Sequence, residues 1–254
     1  MTAHSTPAAG DGGGGGPRRV WRTSTGVAAV VVVLIVAAGL FLALRGGGSS
    51  PRTLPAPATG SAPLPAAGAS SRATGRAGPT DTDQRVPTTT PRGVNWSLYD
   101  GVALPFSAAA GPTRFEGPVA AGYAHTPLGA LLAAGQIGVR YLITPAGGWR
   151  QVTEQQVLPG PGRDAYNAAR AGVGDKPPAG GYGQSAGFRF VTYTPDVAVI
   201  QLATKFSSGQ LQVTTSTVRW SGGDWRLELQ GDGGTSPTRQ QAADLTGFVP
   251  WAGL

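Results

Sequence analysis

Residues 218–229, Val-Arg-Trp-Ser-Gly-Gly-Asp-Trp-Arg-Leu-Glu-Leu, decide the fold class. Two runs that alternate apolar and polar side chains flank Ser221-Gly222-Gly223-Asp224, a tight-turn tetrapeptide, so the segment reads as a β-hairpin. Trp225, Leu227 and Leu229 share one face; Arg226 and Glu228 share the other. Upstream, Phe188–Thr194 and Val197–Phe206 have the same period, and the second run puts Ala198, Ile200, Leu202 and Phe206 on one side. Gln210–Trp220 is a further strand. Its apolar parity changes between Leu211/Val213 and Val218/Trp220, which predicts a bulge near Thr214–Thr217.

Helical patterns lie N-terminal to these strands. Thr126-Pro127 pairs an N-cap residue with a proline at the first helical position. Leu128, Leu131, Leu132, Gly135, Val139 and Leu142 then recur at three- and four-residue steps, leaving Gln136 and Arg140 off the stripe. Weaker helical stretches cover roughly 149–157 and 163–171. A Gly- and Pro-rich loop over about 172–187 separates them from the strands, and Trp96–Pro105 reads as one short entry strand. Helices followed by an antiparallel meander imply an α+β layer, a curved sheet packed on a helix.

These elements fall within residues 93–254, long enough for one domain with its own core. Residues 46–92 differ in kind. From Gly46 to Pro91, 36 of 46 residues are Pro, Ala, Gly, Ser or Thr, the composition of a disordered linker. As a flexible coil it would span about 40 Å, and drawn into polyproline II roughly 140 Å.

Residues 20–45 carry a continuous apolar run. Gly26 to Leu44, centred near Val33, is nineteen residues without a charge, twelve of them Val, Leu, Ile or Phe. A helix of that length spans about 28 Å, close to the hydrocarbon thickness of a bilayer. We therefore expect one transmembrane helix and a lipid bilayer as a partner. A cleaved signal peptide is the rival reading, but the run ends Leu-Phe-Leu-Ala-Leu-Arg, which lacks a small-x-small cleavage site. Arg18, Arg19 and Arg22 precede the helix; Arg45 and Arg52 follow it. That bias puts the disordered tail, residues 1–19, in the cytoplasm and the domain outside the cell membrane.

Charge and chemistry narrow the function. The net charge is +7, yet the first 92 residues hold nine Arg against three Asp, whereas residues 93–254 are nearly neutral. A nucleic-acid-binding domain needs its positive charge on the folded surface, so no nucleic-acid partner is expected. The chain has no Cys and only two His, His4 and His125, so no Cys-containing or multi-His metal site is available. No phosphate-binding loop occurs, and no cofactor is expected.

Gly183-Gln-Ser-Ala-Gly187 matches the G-x-S-x-G pattern. It sits in the Gly-rich loop, leads into a strand, and no His follows it to act as base for Ser185. His125 is the one imidazole in the domain; beside a helix start it reads first as a structural ring and second as a catalytic base. No catalytic residue is assigned, and the chain is expected not to be an enzyme. Asn95-Trp96-Ser97 is a glycosylation sequon by pattern alone, and Gly39 and Ala43 form a small-residue pair in the apolar run. Trp220 and Trp225, either side of the hairpin turn, pack in the core or across the hairpin, or form an aromatic platform. They join His125 as the candidate interaction residues.

The amphipathic helix, the long antiparallel strands and the hairpin Val218–Leu227 together resemble the NTF2-like fold. With one N-terminal membrane helix, the chain is similar to the bitopic membrane components of conjugative transfer and type IV secretion machines. Residues 122–134, Gly-Tyr-Ala-His-Thr-Pro-Leu-Gly-Ala-Leu-Leu-Ala-Ala, resemble an actinobacterial family found on integrative and conjugative elements. The resemblance covers about residues 93–230 and leaves the last twenty or so unmatched. It implies a scaffold that self-associates or joins other membrane subunits of a transfer channel. An exterior domain that binds a small ligand or acts as a sensor is the alternative.

Overall fold

The computed structural model describes residues 78–175, 181–235 and 240–253. Gly26, Val33 and Leu44, with the rest of the apolar run, the N-terminal tail and linker residues 46–77, lie outside the described residues. Among the described residues, no helix is long and apolar enough to cross a membrane.

Two hairpins come first: β1 (Asn95–Tyr99) with β2 (Val102–Phe106), and β3 (Arg114–Glu116) with β4 (Val119–Ala121). The single entry strand expected over 96–105 is thus two strands. Asp100 (φ 46°) and Gly101 (φ 84°) turn the chain between Tyr99 and Val102, with the two left-handed residues that a type I′ hairpin requires.

Three helices follow: α1 (Pro127–Ile143), α2 (Gly148–Gln156) and α3 (Pro161–Ala171). α1 begins as its sequence predicts: Thr126 is extended, and its hydroxyl accepts the Gly129 N–H at 3.1 Å. The expected one-sided stripe is too narrow, because Gln136 and Arg140 are also buried. α1 is packed by the sheet, by β2 and β4, and by α2, so little of its circumference reaches solvent. Ala130, Ala133 and Ala134 let these neighbours approach closely.

The two polar residues are accommodated by hydrogen bonds. Gln136 donates to the Pro105 carbonyl (2.8 Å) and accepts from Arg140 Nε (2.7 Å). Arg140 donates to the Pro118 carbonyl at 2.9 Å, and its guanidinium lies 4.0 Å from the Tyr99 ring centroid. Burial lowers the Arg140 pKa from its usual value, an effect opposed by the Tyr123 and Tyr99 hydroxyls.

The meander completes the α+β architecture. β5 (Gln184–Thr194), β6 (Val197–Lys205), β7 (Leu211–Ser221) and β8 (Asp224–Glu228) pair antiparallel in sequence order. Gly222 (φ 64°) and Gly223 (φ 80°) form the β7–β8 turn. Phe188, Ile200, Val218, Trp225 and Leu227 face the helices and are fully buried, each such side chain worth roughly 1.5–3 kcal/mol against exposure.

The bulge expected near Thr214–Thr217 is absent: β6 and β7 pair without interruption from Val197↔Arg219 to Lys205↔Leu211. The register shifts lie in β5, at Ser185/Gly187 and Phe190/Thr192. Parity changes in β7 for a different reason. Gly187, Ala203 and Val213 are opposed across three strands on the outer face, where a Cβ on Gly187 would meet Leu245 and Phe248. The sheet is therefore covered by helices at one end and by the C-terminal segment on the opposite face at the other.

That segment is the part left unmatched in the sequence. β9 (Gln240–Ala242) pairs with β7, and β10 (Val249–Pro250) pairs with β5. Trp251 is 2% exposed and lies 5.5 Å from Phe188 and 5.0 Å from Trp96, centroid to centroid.

Residues 78–92, assigned to the linker on composition, are strapped to the domain. Thr80 and Asp81 N–H both donate to the Ala109 carbonyl (2.8 and 3.0 Å), and Thr90 Oγ1 donates to the Pro250 carbonyl (2.9 Å). Gln84 donates to the His125 carbonyl and accepts from the Tyr193 hydroxyl, both at 2.8 Å.

Candidate functional site

The turn between β4 and α1 meets the tip of the β7–β8 hairpin, and this junction gathers the three residues singled out from the sequence. The His125 imidazole stacks on Trp220 with centroids 4.0 Å apart and planes inclined by 10°. Trp225 lies 5.8 Å from His125 and 5.6 Å from Trp220, edge-on to both. The two tryptophans are cross-strand neighbours.

Trp225 is a core residue. It is 1% exposed, and its indole N–H donates to the Ala124 carbonyl at 2.9 Å. Trp220 is half-buried, and His125 is exposed. His125 Nε2 lies 2.6 Å from the Pro195 carbonyl. A carbonyl only accepts, so the proton sits on Nε2 and Nδ1 is the other ring nitrogen available to a ligand.

Asp224 fixes the junction. Its carboxylate accepts the N–H groups of Gly122 (2.7 Å), Tyr123 (3.1 Å) and Trp225 (2.9 Å). The chain enters this contact through Gly122 at φ +81°, where a Cβ would collide with Thr113 Oγ1. Arg114, on the outer hairpin, reaches Asp224 at 3.8 Å. On the other flank Asp81 Oδ2 accepts from the Thr126 hydroxyl at 2.7 Å, so the strap takes part in capping α1.

Between these groups lies a cleft of about 380 Å³, in the size range of small-molecule sites. Pro79 and Asp81 of the strap, Thr113 and Arg114, and Tyr123, His125 and Trp220 are among the residues that line it. Burial, together with the nearby Asp224 charge, pushes the Tyr123 hydroxyl well up. Partial burial, with Asp196 and Asp81 nearby, raises Tyr193. Both phenols therefore stay protonated.

Ser185 is not in a loop. It lies in β5 opposite Thr204, beside the register shift at Ser185/Gly187, within a strand and not at the strand-to-helix elbow the motif requires. Among the described residues, no group of three or more His, Asp or Glu is arranged to hold a metal ion.

Asp81, Gln84, Arg114 and Asp224 are among the residues of the site that were not singled out in the sequence. For the first two a signal was present. Thr80–Val86, Thr-Asp-Thr-Asp-Gln-Arg-Val, interrupts the Pro/Ala/Gly/Ser/Thr composition of the linker. Nothing in the local pattern marks Arg114, and Asp224 reads there only as a turn residue.

The fold and cleft define an α+β domain, three helices and an antiparallel meander, with a small polar and aromatic groove at one end of the sheet. The chain belongs to the family described as Domain of unknown function (DUF8175), whose model matches residues 55–250. No curated protein and no solved structure matches it.

Proposed function

We propose that the chain is a single-pass membrane protein, anchored by residues 26–44 with its N-terminus in the cytoplasm. Its extracytoplasmic NTF2-like domain serves as an assembly component of a conjugative transfer apparatus, contacting copies of itself or other membrane subunits. The order of three helices before a four-stranded meander supports the NTF2-like assignment.

The observation that carries the assembly reading is the outer face of the sheet. Thr192, Val199 and Thr217 form a row across β5, β6 and β7, and none of them is buried. Val191, at the β5 register shift, is 57% exposed. A sheet face of β-branched residues of this kind suits packing against a second folded surface.

The chain has no cysteine, so Thr217→Cys introduces a single thiol. Oxidation of intact cells expressing this variant should yield a disulfide-linked dimer, or an adduct with a neighbouring membrane subunit. A thiol that stays monomeric under oxidation contradicts the reading.

The groove favours a second reading, a small-ligand or sensor domain. Its carrying observation is the junction of strap and domain: a ligand there touches Asp81 on the membrane-proximal strap and Arg114 or His125 on the domain. Occupancy would thus be communicated to the tether.

A further inference from the structure

The groove is lined by opposite charges, Arg114 from the domain and Asp81 from the strap. Arg114 has a side chain 58% exposed, and its one ion pair, to Asp224, is long at 3.8 Å. That carboxylate is already occupied by three backbone N–H groups. The guanidinium therefore keeps most of its five donors for an incoming acceptor, and its fork matches a carboxylate. In the same cleft, Asp81 accepts the Thr126 hydroxyl on Oδ2 and the Asp83 N–H, at 3.2 Å, on Oδ1. A carboxylate offers about four acceptor sites, so Asp81 retains capacity for a donor.

This pattern selects among ligands. A plain anion would gain Arg114 but face Asp81 and Asp224; a plain cation would gain Asp81 but face Arg114. A zwitterion satisfies both charges. Thr126 and Asp81 already cap the positive end of α1, so an ammonium meets the carboxylate and not a bare helix terminus. The aromatic rings of Trp220 and His125, which also line the cleft, offer a surface for a side chain.

We propose that this groove binds a small zwitterion of the amino-acid class, a free amino acid or short peptide, with its carboxylate on Arg114 and its ammonium on Asp81. The inference rests on the ligand-binding reading of the groove, not on the assembly reading. Because Asp81 belongs to the strap and Arg114 to the domain, the bound ligand ties the two together. It should slow cleavage at Arg85, whose side chain is 89% exposed on the same strap.

The test uses the full chain in detergent micelles. The standard amino acids and diglycine are added singly, and the melting temperature and the rate of tryptic cleavage after Arg85 are recorded. At least one of these probes should raise Tm and slow the cleavage. N-acetylation and methyl esterification of that probe should each abolish both effects. Arg114→Gln and Asp81→Asn should each weaken its binding by about tenfold or more, with unliganded Tm serving as the folding control. Free amino acids and diglycine separate the two sources of the same chemistry, and binding of either supports the proposal.

The proposal is overturned if no probe shifts the wild-type protein, if an acetylated or esterified probe binds equally well, or if Arg114→Gln binds like wild type. A ligand of another class that raises Tm would retain the groove as a binding site while rejecting the zwitterion.

Discussion

The His125 imidazole lies flat on the Trp220 indole, 4.0 Å between centroids, and its Nε2–H is held by the Pro195 carbonyl at 2.6 Å. The pair therefore joins three separate places in the chain: the start of α1, the β5–β6 turn and the end of β7. His125→Gln removes the stack and the link to Pro195 at an exposed position. We expect a loss of about 1 kcal/mol in urea unfolding. His125→Phe, which restores the stack alone, should recover part of that loss.

Gly122 is the backbone hinge of the same junction. Any L side chain there must adopt φ +81° and displace Thr113 Oγ1. The conformation alone costs roughly 1–2 kcal/mol, and the collision adds to it. Gly122→Ala should therefore lower the unfolding midpoint by more than His125→Gln does, as denaturant titration will show.

Trp225 and Asp224 adjoin each other in sequence but contribute by different means. Trp225→Ala empties a buried site and should cost about 3–5 kcal/mol. Asp224→Ala removes little volume but leaves the N–H groups of Gly122, Tyr123 and Trp225 without their acceptor. That deficit is on the order of 2–4 kcal/mol, with Asp224→Asn intermediate. Hydrogen exchange should locate the Asp224 effect in the 122–125 turn and leave β5–β6 protected.

Asp175 supplies a pH-dependent contribution. The Ala146 N–H (2.8 Å), followed by the Arg170 guanidinium (2.8 Å), holds its carboxyl below the usual aspartate value. Its stabilising effect is therefore present above the ordinary aspartate range and is lost as pH falls through the lowered value. Unfolding midpoints measured from neutral to acid pH should decline in that window. Asp175→Asn should show a shallower decline: its midpoint should lie below that of the wild type near neutrality, and the two should converge at acid pH.

The sequence was most informative where a local rule and the tertiary structure agree. Thr126-Pro127 starts α1, Ser221–Asp224 turns the hairpin, and the buried face of Trp225, Leu227 and Leu229 follows simple alternation. It misled where the second partner is distant in sequence. Gln136 and Arg140 look like solvent-facing residues until Pro105, Pro118 and Tyr99 close over them. The parity change in β7 looks like a bulge until Leu245 and Phe248 are seen on the other face.

The site was half legible for the same reason. Aromatic residues flanking a turn are visible locally, and His125 stands out because imidazoles are so scarce in this chain. Asp81 and Gln84 were hidden by the linker composition around them. Arg114 and Asp224 become site residues only when two hairpins and a helix start converge.

The most direct test of the assembly account is the mass of the full chain in detergent, measured by light scattering after subtraction of the micelle. The account predicts a defined oligomer that Thr217→Arg, on the outer sheet face, reduces to single chains without changing Tm by more than about 3 °C, a surface-substitution effect. A wild-type protein that carries the mass of one chain at every concentration would contradict self-assembly through that face.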